Sequence, residues 1–291
     1  MIQDIYPKIY HCEYQLQKPA SHDRILIFFK NTVLIRFQEG KLRYPVYLEM
    51  QNFCFHYSYL FSVDNMKYFL ALPDDNPQAP FLLSGYQYED VRIFRTASPG
   101  HSAFAGITGY HLFNWYQTNQ FCGRCGHAMI PDQKERMLSC PKCRNMVYPR
   151  ISPAVIVGVI NGNKILMSKY AGRTYTNYAL IAGFTEIGES AEQTVAREVM
   201  EEVGLKVKNI HYYKSQPWAF SGSLLLGYFA QLDGSDQITL DTGELSEAGW
   251  FSRDEITLED DHISLTREMI ILFKENKVSF QDAVDPVTFL S

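Results

Sequence analysis

Two groups of side chains in this 291-residue sequence have the types and spacing for metal chemistry. The first is a pair of knuckles, Cys122-Gly-Arg-Cys125 and Cys140-Pro-Lys-Cys143, with 14 residues between them. Each knuckle can offer two thiolates to one tetrahedral ion, and the intervening chain is long enough to fold the pairs together. The gap falls just below the usual range of about 15–20 residues. All four positions are sulfur and none is left for water. This describes a closed, structural zinc site with one Zn²⁺ per chain. The competing reading, two separate redox pairs, needs no such regular spacing.

The second group lies in GFTEIGESAEQTVAREVMEEVGL, Gly183 to Leu205. Ser190 followed by Gln193 forms a capping box at a helix start, and Gly204 supplies the stop. The spacing predicts a helix over about 191–203. Val195, Val199 and Val203 then form a buried stripe. Glu198, Glu201 and Glu202 stand at i, i+3 and i+4 and share one face. Like charges so placed cost about 0.2–0.5 kcal/mol per pair in an isolated helix. A hard divalent cation reverses that sign, and Mg²⁺ or Mn²⁺ takes such oxygen ligands together with phosphates. The three glutamates alone are read equally well as an acidic, solvated helix face.

The whole stretch is more specific. Gly183, Glu189, Arg197, Glu198, Val199, Glu201, Glu202, Gly204 and Leu205 fill every fixed position of the Nudix box, G-x5-E-x7-R-E-U-x-E-E-x-G-U with U apolar. A chance match in a chain of this length is on the order of one in ten million at average composition. The segment resembles that of Nudix hydrolases, which cleave a nucleoside diphosphate linked to another moiety. The resemblance implies that Glu198 and Glu202 bind metal, that Glu201 is a ligand or general base, and that Arg197 orients the glutamates. It also implies a metal contact from the backbone carbonyl of Ala182 and a further ligand, Glu244, in GELSEAGWF. The implied catalytic cofactor is Mg²⁺ or Mn²⁺, more than one per site.

Downstream lies SQPWAFSGS, Ser215 to Ser223. It is similar to the SQPWPFPxS signature of the NADH pyrophosphatase subfamily, which also carries a four-cysteine ribbon and a separate N-terminal domain. Ala219 and Ser221 replace two prolines, which leaves the loop less constrained. The resemblance implies substrate contacts from Gln216, Pro217, Trp218, Ala219, Phe220, Ser221, Gly222 and Ser223. Trp218 and Phe220 offer faces to a planar base, and Gln216 and Ser223 offer hydrogen bonds. Read without the family, Trp218 and Phe220 are ordinary core residues. Glu135, Tyr148 and Phe184 match further substrate-contacting positions, and Thr266 marks a backbone contact in the C-terminal helix. In the first segment Arg95 is the one candidate contact.

The elements that must position these groups fall into three segments. Residues 1–117 are rich in aromatic and β-branched residues. Strands are expected at Arg24–Phe29 and Lys67–Leu72, and a short helix at about 109–119. Residues 118–149 form the ribbon. It carries Arg124, Lys134, Arg136, Lys142, Arg144 and Arg150, a basic patch read either as solvated hairpin surface or as a contact for phosphates. Residues 150–291 open with AVIVGVI, a turn at Asn161-Gly162-Asn163 and KILMSKY, a hairpin. ALIAGF, SLLLGYFAQL and AGWFS follow as strands, and a helix near 264–274 closes the segment. The fold class expected is α+β. It comprises a Nudix α/β/α sandwich with a mixed sheet, preceded by the zinc ribbon and an N-terminal, mainly-β α+β domain.

Composition excludes several classes. No run of about 18 apolar residues could span a bilayer. The first residues lack a basic start followed by an apolar stretch, which points to the cytoplasm. A net charge of −5 gives no sign of bulk nucleic-acid binding. Cys12 and Cys54 are expected to be buried, inert thiols. The resemblance to the NADH pyrophosphatase subfamily implies hydrolysis of NAD(H) to nicotinamide mononucleotide and AMP, with removal of an NAD cap from RNA 5′ ends, in a homodimer. The alternatives are a Nudix pyrophosphatase for ADP-ribose or another nucleoside diphosphate derivative, and a non-catalytic nucleotide-sensing or nucleic-acid-binding module.

Overall fold

The computed structural model describes residues 1–73, 79–172, 177–278 and 280. The chain divides into two compact units. One comprises residues 2–150 with 219–222; the other comprises Met1, 151–218 and 223–291. The fold class is the expected mixed α+β, with a mainly-β N-terminal region.

In the first unit, β1 (Tyr10–His11), β6 (His56–Val63), β7 (Met66–Leu72) and β2 (Arg24–Leu26) form one sheet in that order. A second sheet contains β3 (Phe28–Phe29), β4 (Thr32–Gln38), β5 (Lys41–Arg43) and β8 (Gln87–Asp90). A short helix, α1 (Tyr47–Met50), follows β5. The expected strand at Arg24–Phe29 is two short strands, broken at Ile27.

The expected short helix is a long one, α2 (Gly100–Thr118). Its start was hidden because it is buried nearly all round, Ser102 to Ile107 included, so it has no polar stripe to mark it. Its glycines serve packing. A Cβ on Gly106 would stand 2.1 Å from the Tyr44 hydroxyl and 2.3 Å from the Phe94 ring. Cys12 and Cys54 are exposed, against expectation. Neither lies within a sheet interior: Cys12 follows the two-residue β1, and Cys54 precedes β6.

The ribbon belongs to this unit. It pairs β9 (Ile130–Pro131), β10 (Leu138–Ser139) and β11 (Met146–Val147) around two knuckles. The second unit is built on a mixed sheet ordered β15-β16-β12-β13-β17. Its strands are β12 (Ser152–Asn161), β13 (Lys164–Tyr170), β15 (Val207–Trp218), β16 (Ser223–Leu232) and β17 (Leu245–Ser252); β14 (Ile181–Phe184) pairs with β12. The β12–β16 pairing is parallel, and β12 and β13 form the expected hairpin.

Two helices cover the two faces, α3 (Ala191–Val203) and α4 (Leu265–Lys274). The period of two in β12 assigns them. Val155, Val157 and Val159 pack with Val195, Val199 and Val203 of α3. Ile156 and Ile160 pack with Leu265, Met269 and Phe273 of α4. All three α3 valines are fully buried, and burying each contributes roughly 1.5–3 kcal/mol. Strand β15 was not expected. Its sequence, VKNIHYYKSQPW, alternates poorly, and its register against β16 shifts twice.

Gly106→Ala should destabilise the N-terminal unit by about 1–3 kcal/mol through overpacking. Urea denaturation would measure this. An unchanged midpoint would refute the close approach of α2 to Tyr44 and Phe94.

Candidate metal and catalytic site

The ribbon closes as its spacing requires. Sγ of Cys122 lies 3.5 Å from that of Cys143, and Sγ of Cys125 lies 3.4 Å from that of Cys140. All four sulfurs fall within 4.8 Å of one another. A tetrahedron with Zn–S bonds of about 2.3 Å has edges of about 3.8 Å, so the four thiols fit a zinc ion. The backbone N–H of Cys143 donates to Cys140 Sγ and helps hold that thiol below its ordinary pKa, toward the thiolate that metal binding needs.

Not all of the ribbon's positive charge is free surface. Arg136 donates through Nη2 to the carbonyl oxygens of Leu60 and Cys12 (3.2 Å to the latter), and its guanidinium lies 5.7 Å from the Tyr14 ring centroid. It anchors the ribbon to the first sheet. Of the two expected substrate contacts here, Tyr148 donates its hydroxyl to Glu135 at 2.7 Å.

The carboxylate site starts from the ends of α3. The Ser190 hydroxyl accepts from Gln193 N, the Gln193 side chain accepts from Ser190 N, and Gly204 ends the helix at φ +69°. This fixes where the glutamates point. Glu198 and Glu202 are buried, whereas Glu201 is exposed. Gly183, in β14 opposite, makes room: a Cβ there would stand 1.9 Å from Glu198 Cδ. Any side chain would displace the carboxylate.

Arg197 binds the cluster together. Its Nε and Nη2 donate to the two oxygens of Glu189, at 2.6 and 2.9 Å. Its Nη1 donates to Glu198 Oε1 and Glu201 Oε2, both at 2.8 Å. Its Nη2 also donates to the carbonyl of Phe184 at 2.9 Å. Glu189 was visible in the sequence only as a fixed motif position; here it is the main partner of Arg197. It also accepts from Thr194 Oγ1 and from Glu186 N. The Arg197 guanidinium, with these donors, lowers the Glu189 pKa to about 2. Burial raises the Glu198 pKa, opposed by Arg197 and reinforced by the charges of Glu201 and Glu244.

The donor set suits a hard divalent cation: carboxylates on one helix face, two of them buried. The charge of Glu244 acts on Glu198, and Ala182 sits beside Gly183 in β14, paired with Ile156. Phe184 is exposed at the strand's end.

The SQPW segment is strand, not loop. Ser215 to Trp218 end β15, Ser223 begins β16, and Pro217 pairs with Leu224. Gln216 is fully buried. Its Oε1 accepts from Leu265 N and its Nε2 donates to Ile263 O, both at 2.8 Å. Its amide therefore clasps the start of α4, beside Thr266. This tertiary role was invisible in the sequence. Ser223 is buried. Residues 219–222 belong to the first unit, where Ala219 and Phe220 pack on its core and Arg95 lies 4.8 Å from the Phe220 ring centroid. Lys169, Tyr178 and Glu247 form a polar group that no sequence motif marks: Lys169 pairs with Glu247 at 2.8 Å, and the Tyr178 hydroxyl donates to the same carboxylate.

Glu189→Gln should lower thermal stability at neutral pH. The folded pKa is depressed, so the carboxylate's contribution is fully present above its ordinary value near 4.5 and is lost as pH falls through about 2. The gap in Tm between wild type and variant should be constant above about pH 5 and shrink below it. A gap that widens in acid would contradict this reading.

Residues 150–273 match the NUDIX domain family, and residues 117–148 match the NADH pyrophosphatase zinc ribbon domain. Among curated proteins the chain is similar to the NAD-capped RNA hydrolase NudC of Citrobacter koseri, at 39% identity over 182 residues, 62% of this chain and 67% of that protein. It is 43% identical over 162 residues to the NudC of an Enterobacter species, covering 56% of this chain and 62% of that protein. The Escherichia fergusonii NudC is 39% identical over 181 residues, 62% of this chain and 66% of that protein. The aligned stretch thus spans about two thirds of the relatives' length or slightly less. The chain belongs to the Nudix hydrolases, in the group that carries the NADH pyrophosphatase zinc ribbon.

Proposed function

We propose that this protein hydrolyses the pyrophosphate bond of NAD(H), giving nicotinamide mononucleotide and AMP, and removes the NAD cap from RNA 5′ ends. The observation that carries the hydrolytic part is the α3 cluster: glutamates intact, held by one arginine, facing a glycine that leaves them room. The NAD(H) part is supported by the ribbon match and by the similarity to NAD-capped RNA hydrolases.

The chain's own groups divide the work. Glu198, Glu202 and Glu244, with the Ala182 carbonyl, would hold Mg²⁺ or Mn²⁺. When bound, such cations neutralise phosphate charge and acidify water. Glu201 is the exposed carboxylate, paired with Arg197 at 2.8 Å; we assign it the proton-accepting role. Arg197 keeps Glu201 and Glu198 in register while Glu189 fixes Arg197. Phe184 offers an exposed ring to a base, and Trp218, in the same unit, offers an indole face. Among the described residues no helix is long and apolar enough to cross a membrane. We place the protein in the cytoplasm, as a homodimer with one structural Zn²⁺ per chain.

Chromatography of products from NADH, ADP-ribose and NAD-capped RNA, each with Mg²⁺ or Mn²⁺, tests this directly. Reduced nicotinamide mononucleotide plus AMP is expected. Cleavage of ADP-ribose alone would retain pyrophosphatase chemistry and reject NAD(H). Glu201→Gln should keep the fold and lower kcat about 10²–10⁴-fold; near-normal turnover would remove Glu201 from the base role. Elemental analysis of freshly purified protein should find about one zinc per chain, lost in Cys140→Ala. Protein without zinc would refute the closed site.

A further inference from the structure

The N-terminal unit contains a cavity of about 410 Å³ that the hydrolytic site does not use. Its charged lining is one-sided: Lys8, Arg24, Arg43 and His101 against the single carboxylate of Asp64. That carboxylate is already engaged. Asp64 Oδ2 lies 2.7 Å from Lys8 Nζ, and Oδ1 accepts from Ile9 N at 2.9 Å. Arg24 and Arg43 are both half-buried, and neither makes an ion pair or side-chain hydrogen bond among the described residues. Strands β2 and β5 hold them in place, where desolvation makes unpaired guanidinium charge costly.

The start of α2 adds to the same field. His101 and Ser102, in its first turn, line the cavity. The N-cap is Pro99, with no side-chain cap, and the first turn carries no acidic residue. Ser102 N and Ala103 N bond to Pro99 O, which leaves the amides of Gly100 and His101 outside that pattern. The positive end of a 19-residue helix therefore meets two unpaired arginines. Burial holds the His101 pKa below its ordinary value, with Lys8 and Arg43 adding to the effect and Asp64 opposing it. Val63 and Met66 supply an apolar wall.

We propose that this cavity is an anion site for a phosphate-bearing ligand, with Arg24 and Arg43 as the phosphate-binding groups. Guanidinium forks match phosphate oxygens bidentately, and the helix terminus favours the same charge. The volume lies within the range of small-ligand pockets, about 300–1,000 Å³. The phosphate could come from a free nucleotide or from an RNA chain, and the test separates the two.

Isothermal titration calorimetry of the full chain, without added Mg²⁺ or Mn²⁺, would be run with AMP and with a 5′-phosphorylated RNA lacking an NAD cap. Wild type should bind AMP, and Arg24→Gln/Arg43→Gln should weaken that binding about a hundredfold, roughly tenfold per arginine. Hydrolysis of NADH should be unchanged in that variant. Loss of AMP binding alone identifies a free-nucleotide site; loss of both identifies an RNA-phosphate site. Met66→Glu, which keeps both arginines and adds a competing carboxylate, should weaken binding similarly and guards against misfolding of the double variant. AMP binding that is absent from wild type, or unaltered in the folded variants, would overturn the proposal. The readout needs no turnover, so its failure is independent of the hydrolytic reading.

Discussion

The second unit depends on one guanidinium. Three carboxylates within a single turn of α3 repel one another, and two are buried, so the helix needs positive charge close by. Arg197 supplies it, and its planar fork does more than neutralise. One edge is bidentate on Glu189, Nη1 is shared by Glu198 and Glu201, and Nη2 reaches the Phe184 carbonyl. The helix, the turn before it and the end of β14 are fixed to the same group. A lysine could not make this set of contacts, because an ammonium is a point charge on a flexible stem.

That constraint explains features which would otherwise look unrelated. Glu189 lies outside the helix yet must stay ionised to hold Arg197, and the Glu186 amide and Thr194 hydroxyl assist it. Gly183 lacks a side chain because Glu198 occupies the space. The capping box and the valine stripe set the rotation of α3 against β12, so that Glu198 meets Gly183 of β14.

Much of this was legible because it is local. A Ser-x-x-Gln cap, a glycine stop and valines every fourth residue are sequence statements about one helix, and the structure contains all three. The four-cysteine site was legible for the same reason, since each knuckle contributes two ligands from adjacent turns. What escaped is tertiary. Helix α2 is buried nearly all round and admits its neighbours through glycine, so no periodicity marks its first half. Strand β15 mixes lysine, histidine and tyrosine, and only pairing with β16 defines it. The two lone cysteines were judged by residue type, but exposure follows from where the short strands end.

Gln216 shows how such hidden contacts bear on the substrate motif. Two prolines of the family signature are missing, at Ala219 and Ser221, and both positions lie in the four residues between β15 and β16. The polar positions flanking that turn are held by other means. Gln216 is locked by Ile263 and Leu265 at the start of α4, and Ser223 is buried in register with Trp218. The turn itself relies on Gly222 at φ +68°, where a Cβ would come within 3.2 Å of His111. The replaced prolines therefore change the stiffness of the tip, while ladder hydrogen bonds and a buried amide continue to position the strand ends. A motif that reads as a proline-rich loop is, physically, a hairpin whose geometry is set from its base.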